Sequence, residues 1–88
     1  SAYTYKMLGA IEVNDRNFIK GIEYLERSLT IQPNDSQALF NLSSAYAQTG
    51  DIQKGYEIAA QLMNINPNFP GAQQWMTQLE RVIQSRSN

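Results

Sequence analysis

The chain has no cysteine and no histidine. Without cysteine there is no disulfide framework and no thiolate zinc site, and the redox compartment stays open. Without histidine the chain lacks the most common metal ligand and the side chain best suited to moving protons near neutral pH. An excess of charge of either sign is missing too: seven Lys and Arg stand against eight Asp and Glu. No basic stripe is present to meet a phosphate backbone, and no polybasic run to meet an anionic bilayer. No apolar run approaches the ~20 residues that a membrane helix needs. These absences argue against a metal or organic cofactor, nucleic-acid binding and direct membrane insertion, and they leave localisation open. The 88 residues suffice for one domain with a limited core, a size that is marginally stable alone. The first residue is Ser rather than Met and no signal peptide follows, so an excised segment of a longer protein is expected.

What is present is an internal repeat. Residues 2–34 align without a gap on residues 36–68, with identities at Leu8/Leu42, Lys20/Lys54, Gly21/Gly55, Glu23/Glu57, Ile31/Ile65, Pro33/Pro67 and Asn34/Asn68. Similar pairs such as Asn17/Asp51, Phe18/Ile52 and Leu29/Met63 lie between them. One register is kept through both an apolar pattern and a proline turn, which chance similarity does not do.

Within each unit the apolar spacing is helical. Ala38, Leu39, Leu42, Ala45 and Tyr46 recur at steps of three and four, and Ile52, Tyr56, Ala59, Leu62 and Met63 do so after a break. The break is Thr49-Gly50-Asp51. Gly50 suits the left-handed conformation that closes a helix, and Asp51 suits the start of the next. Pro67 disfavours helical geometry in Asn66 and ends the second helix. The spacing predicts helices over roughly 3–14, 18–31, 36–48 and 52–65. A last amphipathic stretch, with Ala72, Met76, Leu79 and Ile83 on one face and glutamines on the other, reads as a capping helix over 70–85, followed by a frayed end from Ser85 to Asn88.

A helix-turn-helix unit of this length ending in proline resembles the tetratricopeptide repeat. The marks are Leu42, Ala45, Tyr46, Gly50-Asp51, Ile65 and Pro67-Asn68 in one unit, and Tyr5, Leu8-Gly9, Phe18, Ile22, Leu29, Ile31 and Pro33-Asn34 in the other. The resemblance implies an all-α, right-handed α-solenoid of five helices. Residues 1–88 would form a single domain, with repeats at 2–35 and 36–69 and the cap at 70–85. Departures are Glu12 where the family usually has Tyr, and Arg16 where the turn usually has Gly. Asn14 or Asp15 is therefore expected to supply the first tight turn. Gly21 and Gly55 replace a small Ala, which points either to very close helix approach or to drift at a position that tolerates only small residues.

In the family the first helices of successive units line a concave groove that holds peptides or helices of partners. The resemblance places Tyr3, Lys6, Met7, Ala10, Val13 and Asn14 in that groove. It adds Gln37, Phe40, Asn41, Ser44, Ala47 and Gln48, and then Gln74, Trp75 and Gln78 from the cap. Phe40 falls off its own apolar stripe. It either faces the groove or a neighbouring subunit, or packs against Lys6, Met7 and Trp75 within the chain. Members that grip a C-terminal carboxylate use five Lys, Arg and Asn positions. Here Lys6 and Asn41 match, whereas Ala10, Gly71 and Trp75 do not, so too few cations remain for a carboxylate clamp. Hydrogen bonding with apolar anchoring is the expected chemistry.

Catalysis finds little support. Glu23 with Glu26, and Glu12 with Asp15, are neighbours on helix surfaces, but no nucleophile-base pair, phosphate loop or metal spacing accompanies them. Solvated faces explain them better. The glycosylation-like triplets at Asn34 and Asn41 are coincidental; the second is mid-helix. The expected function is a scaffold that binds a protein or peptide in its groove. The alternative is a self-association or regulatory segment of a larger multidomain protein, such as a membrane protein or an enzyme, forming a homo-oligomer through Phe40 or through the uncapped face of the first helix with Tyr5, Ile11 and Tyr24.

Overall fold

The computed structural model describes residues 1–87. Among them the regular elements are five α-helices: α1 (Ala2–Asn14), α2 (Phe18–Ile31), α3 (Ser36–Gln48), α4 (Ile52–Ile65) and α5 (Ala72–Arg86). Each packs on the next in the chain, and the whole measures 42 × 27 × 18 Å. The expected all-α helical-repeat solenoid is what the chain forms.

Local chemistry sets the helix ends. Asp35 Oδ1 accepts from the Ala38 amide at 3.2 Å and Asp51 Oδ1 from the Lys54 amide at 3.1 Å, so α3 and α4 start on aspartate caps. Gln32 and Asn66 each precede a proline and leave helical geometry, at φ −129° and −143°, which stops α2 and α4. Gly50 closes the α3–α4 turn at φ 95°.

The α1–α2 turn departs from expectation. Neither Asn14 nor Asp15 supplies it: Asn14 is helical and Asp15 has φ −82°. Arg16 itself takes φ 66°, at the position equivalent to Gly50. A left-handed L-residue costs roughly 1–2 kcal/mol, and part of this is offset where the Arg16 guanidinium lies 5.3 Å from the Phe18 ring centroid. The last helix also shifts. It begins at Ala72 rather than residue 70, because Pro70 and Gly71, the latter at φ 84°, belong to the preceding turn. It runs through Ser85 to Arg86, two residues expected to fray. Asn88, placed in that frayed end, lies outside the described residues. The first helix starts at Ala2, one residue early, with Ser1 Oγ accepting from the Thr4 amide at 3.2 Å.

The core is one contiguous cluster, with Ile22 and Leu25 from α2, Ala38, Leu39, Leu42 and Ala45 from α3, Ile58 and Leu62 from α4 and Ala72 from α5. Burying each of its larger aliphatic side chains stabilises the fold by about 1.5–3 kcal/mol. Gly21 and Gly55 lie where partner helices nearly touch. A Cβ on Gly21 would sit 2.6 Å from Val13 Cγ2, and one on Gly55 would sit 3.0 Å from the Ser43 carbonyl oxygen. Close approach, not drift, explains both glycines. Tyr46 ties α3 to α2 by donating to Glu26 Oε2 at 3.0 Å. Burial, with the Glu26 carboxylate beside it, pushes the Tyr46 hydroxyl up to about 12.

Candidate functional site

Two helices carry the same stripe one repeat apart. Tyr3, Met7, Ala10 and Asn14 on α1 correspond to Gln37, Asn41, Ser44 and Gln48 on α3. The steps of four, three and four put each set on one helix face. Tyr3 is 67 % and Met7 43 % exposed, and Asn14, Gln37 and Gln48 are exposed as well. Ala10, Asn41 and Ser44 are half-buried. Gln74 and Gln78 are exposed on α5, and Trp75 beside them is half-buried. Val13 and Ala47 are half-buried too; Val13 packs against the core cluster, and Ala47 lies 3.4 Å from where a Gly55 Cβ would stand. Both are held in the contacts between helices of a pair.

Side chains link α1 to the start of α3, and α3 to α5. The Lys6 ammonium donates to Asp35 Oδ2 at 2.9 Å, the only ion pair among the described residues. Burial raises the Asp35 carboxyl, but the Lys6 ammonium and the Ala38 and Gln37 amides together hold it below the usual aspartate range. Farther along, the Phe40 ring meets Phe69 at 5.4 Å and Trp75 at 6.4 Å between centroids. The Trp75 indole N–H donates to Ser43 Oγ at 2.8 Å, and Ser43 Oγ donates to the Gly55 carbonyl at 2.6 Å. One buried hydroxyl thus couples α3, α4 and α5. Phe40 therefore has partners inside the chain, and they are Phe69 and Trp75.

The α3 stripe is pre-ordered. Gln37 Nε2 donates to Asn41 Oδ1 at 2.9 Å, and Gln48 Nε2 donates to Ser44 Oγ at 3.1 Å. These bonds leave Asn41 with a free NH2 and Gln37 with a free carbonyl, a donor and an acceptor side by side, the complement of a peptide unit. With Lys6 neutralised, the α1–α3–α5 face offers amides, a hydroxyl and aromatic or thioether surface, with no net charge.

Three participants were absent from the sequence-derived set: Asp35, Ser43 and Phe69. The repeat register held a signal for two of them. Lys6 and Asp35 are equivalent to Phe40 and Phe69, so an oppositely charged pair in one unit stands where an aromatic pair stands in the other. Outside this face, an open hollow lies by the α1–α2 turn, where Glu12, Arg16, Asn17, Lys20 and Glu23 surround Phe18 and Ile19. Among the described residues no acidic cluster could hold a metal, and no helix is long and apolar enough to cross a membrane.

A family model described as tetratricopeptide repeat matches residues 36–69, which span α3, α4 and the turn that follows. Superkiller protein 3 of Schizosaccharomyces pombe (strain 972 / ATCC 24843) is 42 % identical over 43 residues, a stretch that is 49 % of this chain and 3 % of that protein. The chain therefore corresponds to a small part of the length of this relative.

Proposed function

We propose, because residues 36–69 match the tetratricopeptide repeat, a repeat that mediates protein–protein interaction, that this chain is a non-catalytic scaffold domain of two repeats and a capping helix whose α1–α3–α5 face binds a segment of a partner protein. The proposed contact residues are Tyr3, Lys6, Met7, Ala10 and Asn14 on α1, Gln37, Phe40, Asn41, Ser44 and Gln48 on α3, and Gln74, Trp75 and Gln78 on α5. The observation that carries the reading is the stripe at one register on α1 and α3, exposed at Tyr3, Met7, Asn14, Gln37 and Gln48 and half-buried at Ala10, Asn41 and Ser44.

The structure's chemistry narrows the ligand class. Lys6 is occupied by Asp35, and the remaining stripe is uncharged, so an acidic or basic tail has nothing to pair with here. An uncharged segment fits, with its backbone bonded by Asn41 and Gln37 and its apolar side chains set against Met7, Tyr3 and the Phe40–Trp75 edge. Such binding depends little on salt, because screening acts on charge pairs.

Selection from a displayed peptide library tests this. An enriched class of uncharged peptides is expected, with affinity lowered about tenfold by Asn41→Ala or Met7→Ala, substitutions at positions that are not core. Failure to enrich any class, or affinity untouched by both variants, counts against the reading.

A further inference from the structure

The face of α1 turned away from α3 has no cover, and the second repeat supplies a measure of what is missing. Leu39, Leu42, Ala45 and Ile58 are 2 %, 5 %, 0 % and 6 % exposed, in the core cluster they share with Ile22 and Leu25 of α2. The residues one repeat earlier are Tyr5, Leu8, Ile11 and Tyr24. Leu8 is 37 % and Ile11 53 % exposed, and Tyr5 and Tyr24 stack on each other at 6.3 Å, half-buried. The apolar side chains of α1 are spread around the helix, with Tyr3 and Met7 on one side and Leu8 and Ile11 on another, as in a helix enclosed on several sides.

We infer that this edge pairs with the same edge of a second copy of the chain, α1 against α1 in antiparallel orientation about a two-fold axis near Leu8. Charge complementarity selects the occupant. Glu12 stands at one end of the apolar strip, at the position where Tyr46 meets α2. Arg27 stands at the other, its guanidinium 5.8 Å from the Tyr5 ring centroid. Neither belongs to an ion pair among the described residues. Antiparallel pairing brings each Glu12 toward the other copy's Arg27, whereas parallel pairing sets like charges together. The competing arrangements fit less well. A helix like α2 would bring its Glu26 against Glu12. A helix like α4 carries Ala60 there and would fit, but α4 is already covered by α5. Head-to-tail stacking would require the outer face of α5, where Gln73, Arg81 and Gln84 are exposed and offer no apolar complement. An isologous contact satisfies both copies at once and closes the assembly at two. This pairing does not depend on the proposed binding face, which lies on the other side of α1.

Sedimentation equilibrium of the 88-residue chain over a dilution series is the test, with circular dichroism to confirm that each variant is helical. The expected result is a reversible dimer whose dissociation constant rises about tenfold or more in Leu8→Asp and in Ile11→Asp. Glu12→Arg and Arg27→Glu each weaken it, and the double variant restores it. A wild-type monomer at the highest soluble concentration overturns the pairing and leaves the edge to a helix from another source. Open-ended oligomers, or a dimer lost on Met7→Asp instead of Leu8→Asp, also overturn it.

Discussion

Lys6 Nζ lies 2.9 Å from Asp35 Oδ2, and at the same two positions one repeat later the Phe40 and Phe69 rings meet at 5.4 Å. The two junctions join a first helix to the turn that opens the next unit, once by charge and once by aromatic packing. The ionic version responds to pH. The Asp35 carboxyl is held below its unfolded value of about 3.9. Its contribution is therefore fully present above that unfolded value and is lost as pH falls through the lower folded value. Asp35→Asn keeps a good helix cap while removing the charge. It is expected to cost about 1 kcal/mol at neutral pH, the upper end for a pair of this exposure. The difference from wild type should vanish in strong acid, as read by urea unfolding across pH.

Arg16 is a strained residue in a turn that the second repeat makes with glycine. Arg16→Gly should stabilise the fold by about 0.5–1 kcal/mol, the relief of the left-handed strain less the lost contact with Phe18 and the added freedom of the unfolded chain. Gly50→Ala, which imposes the same strain at φ 95°, should destabilise by about 1 kcal/mol. Thermal or denaturant midpoints of the two variants should move in opposite directions.

At Gly55 helix propensity and packing make opposite forecasts. Propensity alone gives Gly55→Ala a gain of about 1 kcal/mol. The added Cβ would stand 3.0 Å from a backbone carbonyl, that of Ser43, which moves only if α3 and α4 separate. The same separation would disturb the hydroxyl bonds from Ser43 to Gly55 and from Trp75 to Ser43. Packing should win, with a net loss of about 1–3 kcal/mol by chemical denaturation.

The legible part of the structure was the part written in local chemistry. Pro33, Pro67, Gly50 and Asp51 mark helix ends by restrictions on one or two residues, and α2, α3 and α4 end, and α4 begins, where those residues require. The stripe on α1 and α3 came from the resemblance to the tetratricopeptide repeat, carried onto both helices through the register of the two units. The contacts that shape the face were harder to read, because they join residues far apart in sequence. Lys6 reaches Asp35 across 29 positions and Trp75 reaches Ser43 across 32. The turn at Arg16 was misread because a positive φ is uncommon for any residue but glycine, although its alignment with Gly50 pointed there. The start of α5 shifted because Gly71, not a polar side chain, sits at its cap position.

The most direct measurement is amide chemical-shift mapping of the chain titrated with a peptide taken from the library selection. Perturbations should concentrate on Met7, Ala10, Gln37, Asn41, Ser44 and Gln78 and persist at high salt. Perturbations confined to the far side of the second helices, at Glu23, Gln53 or Glu57, or none at saturating peptide, would contradict a partner-binding face built from α1, α3 and α5.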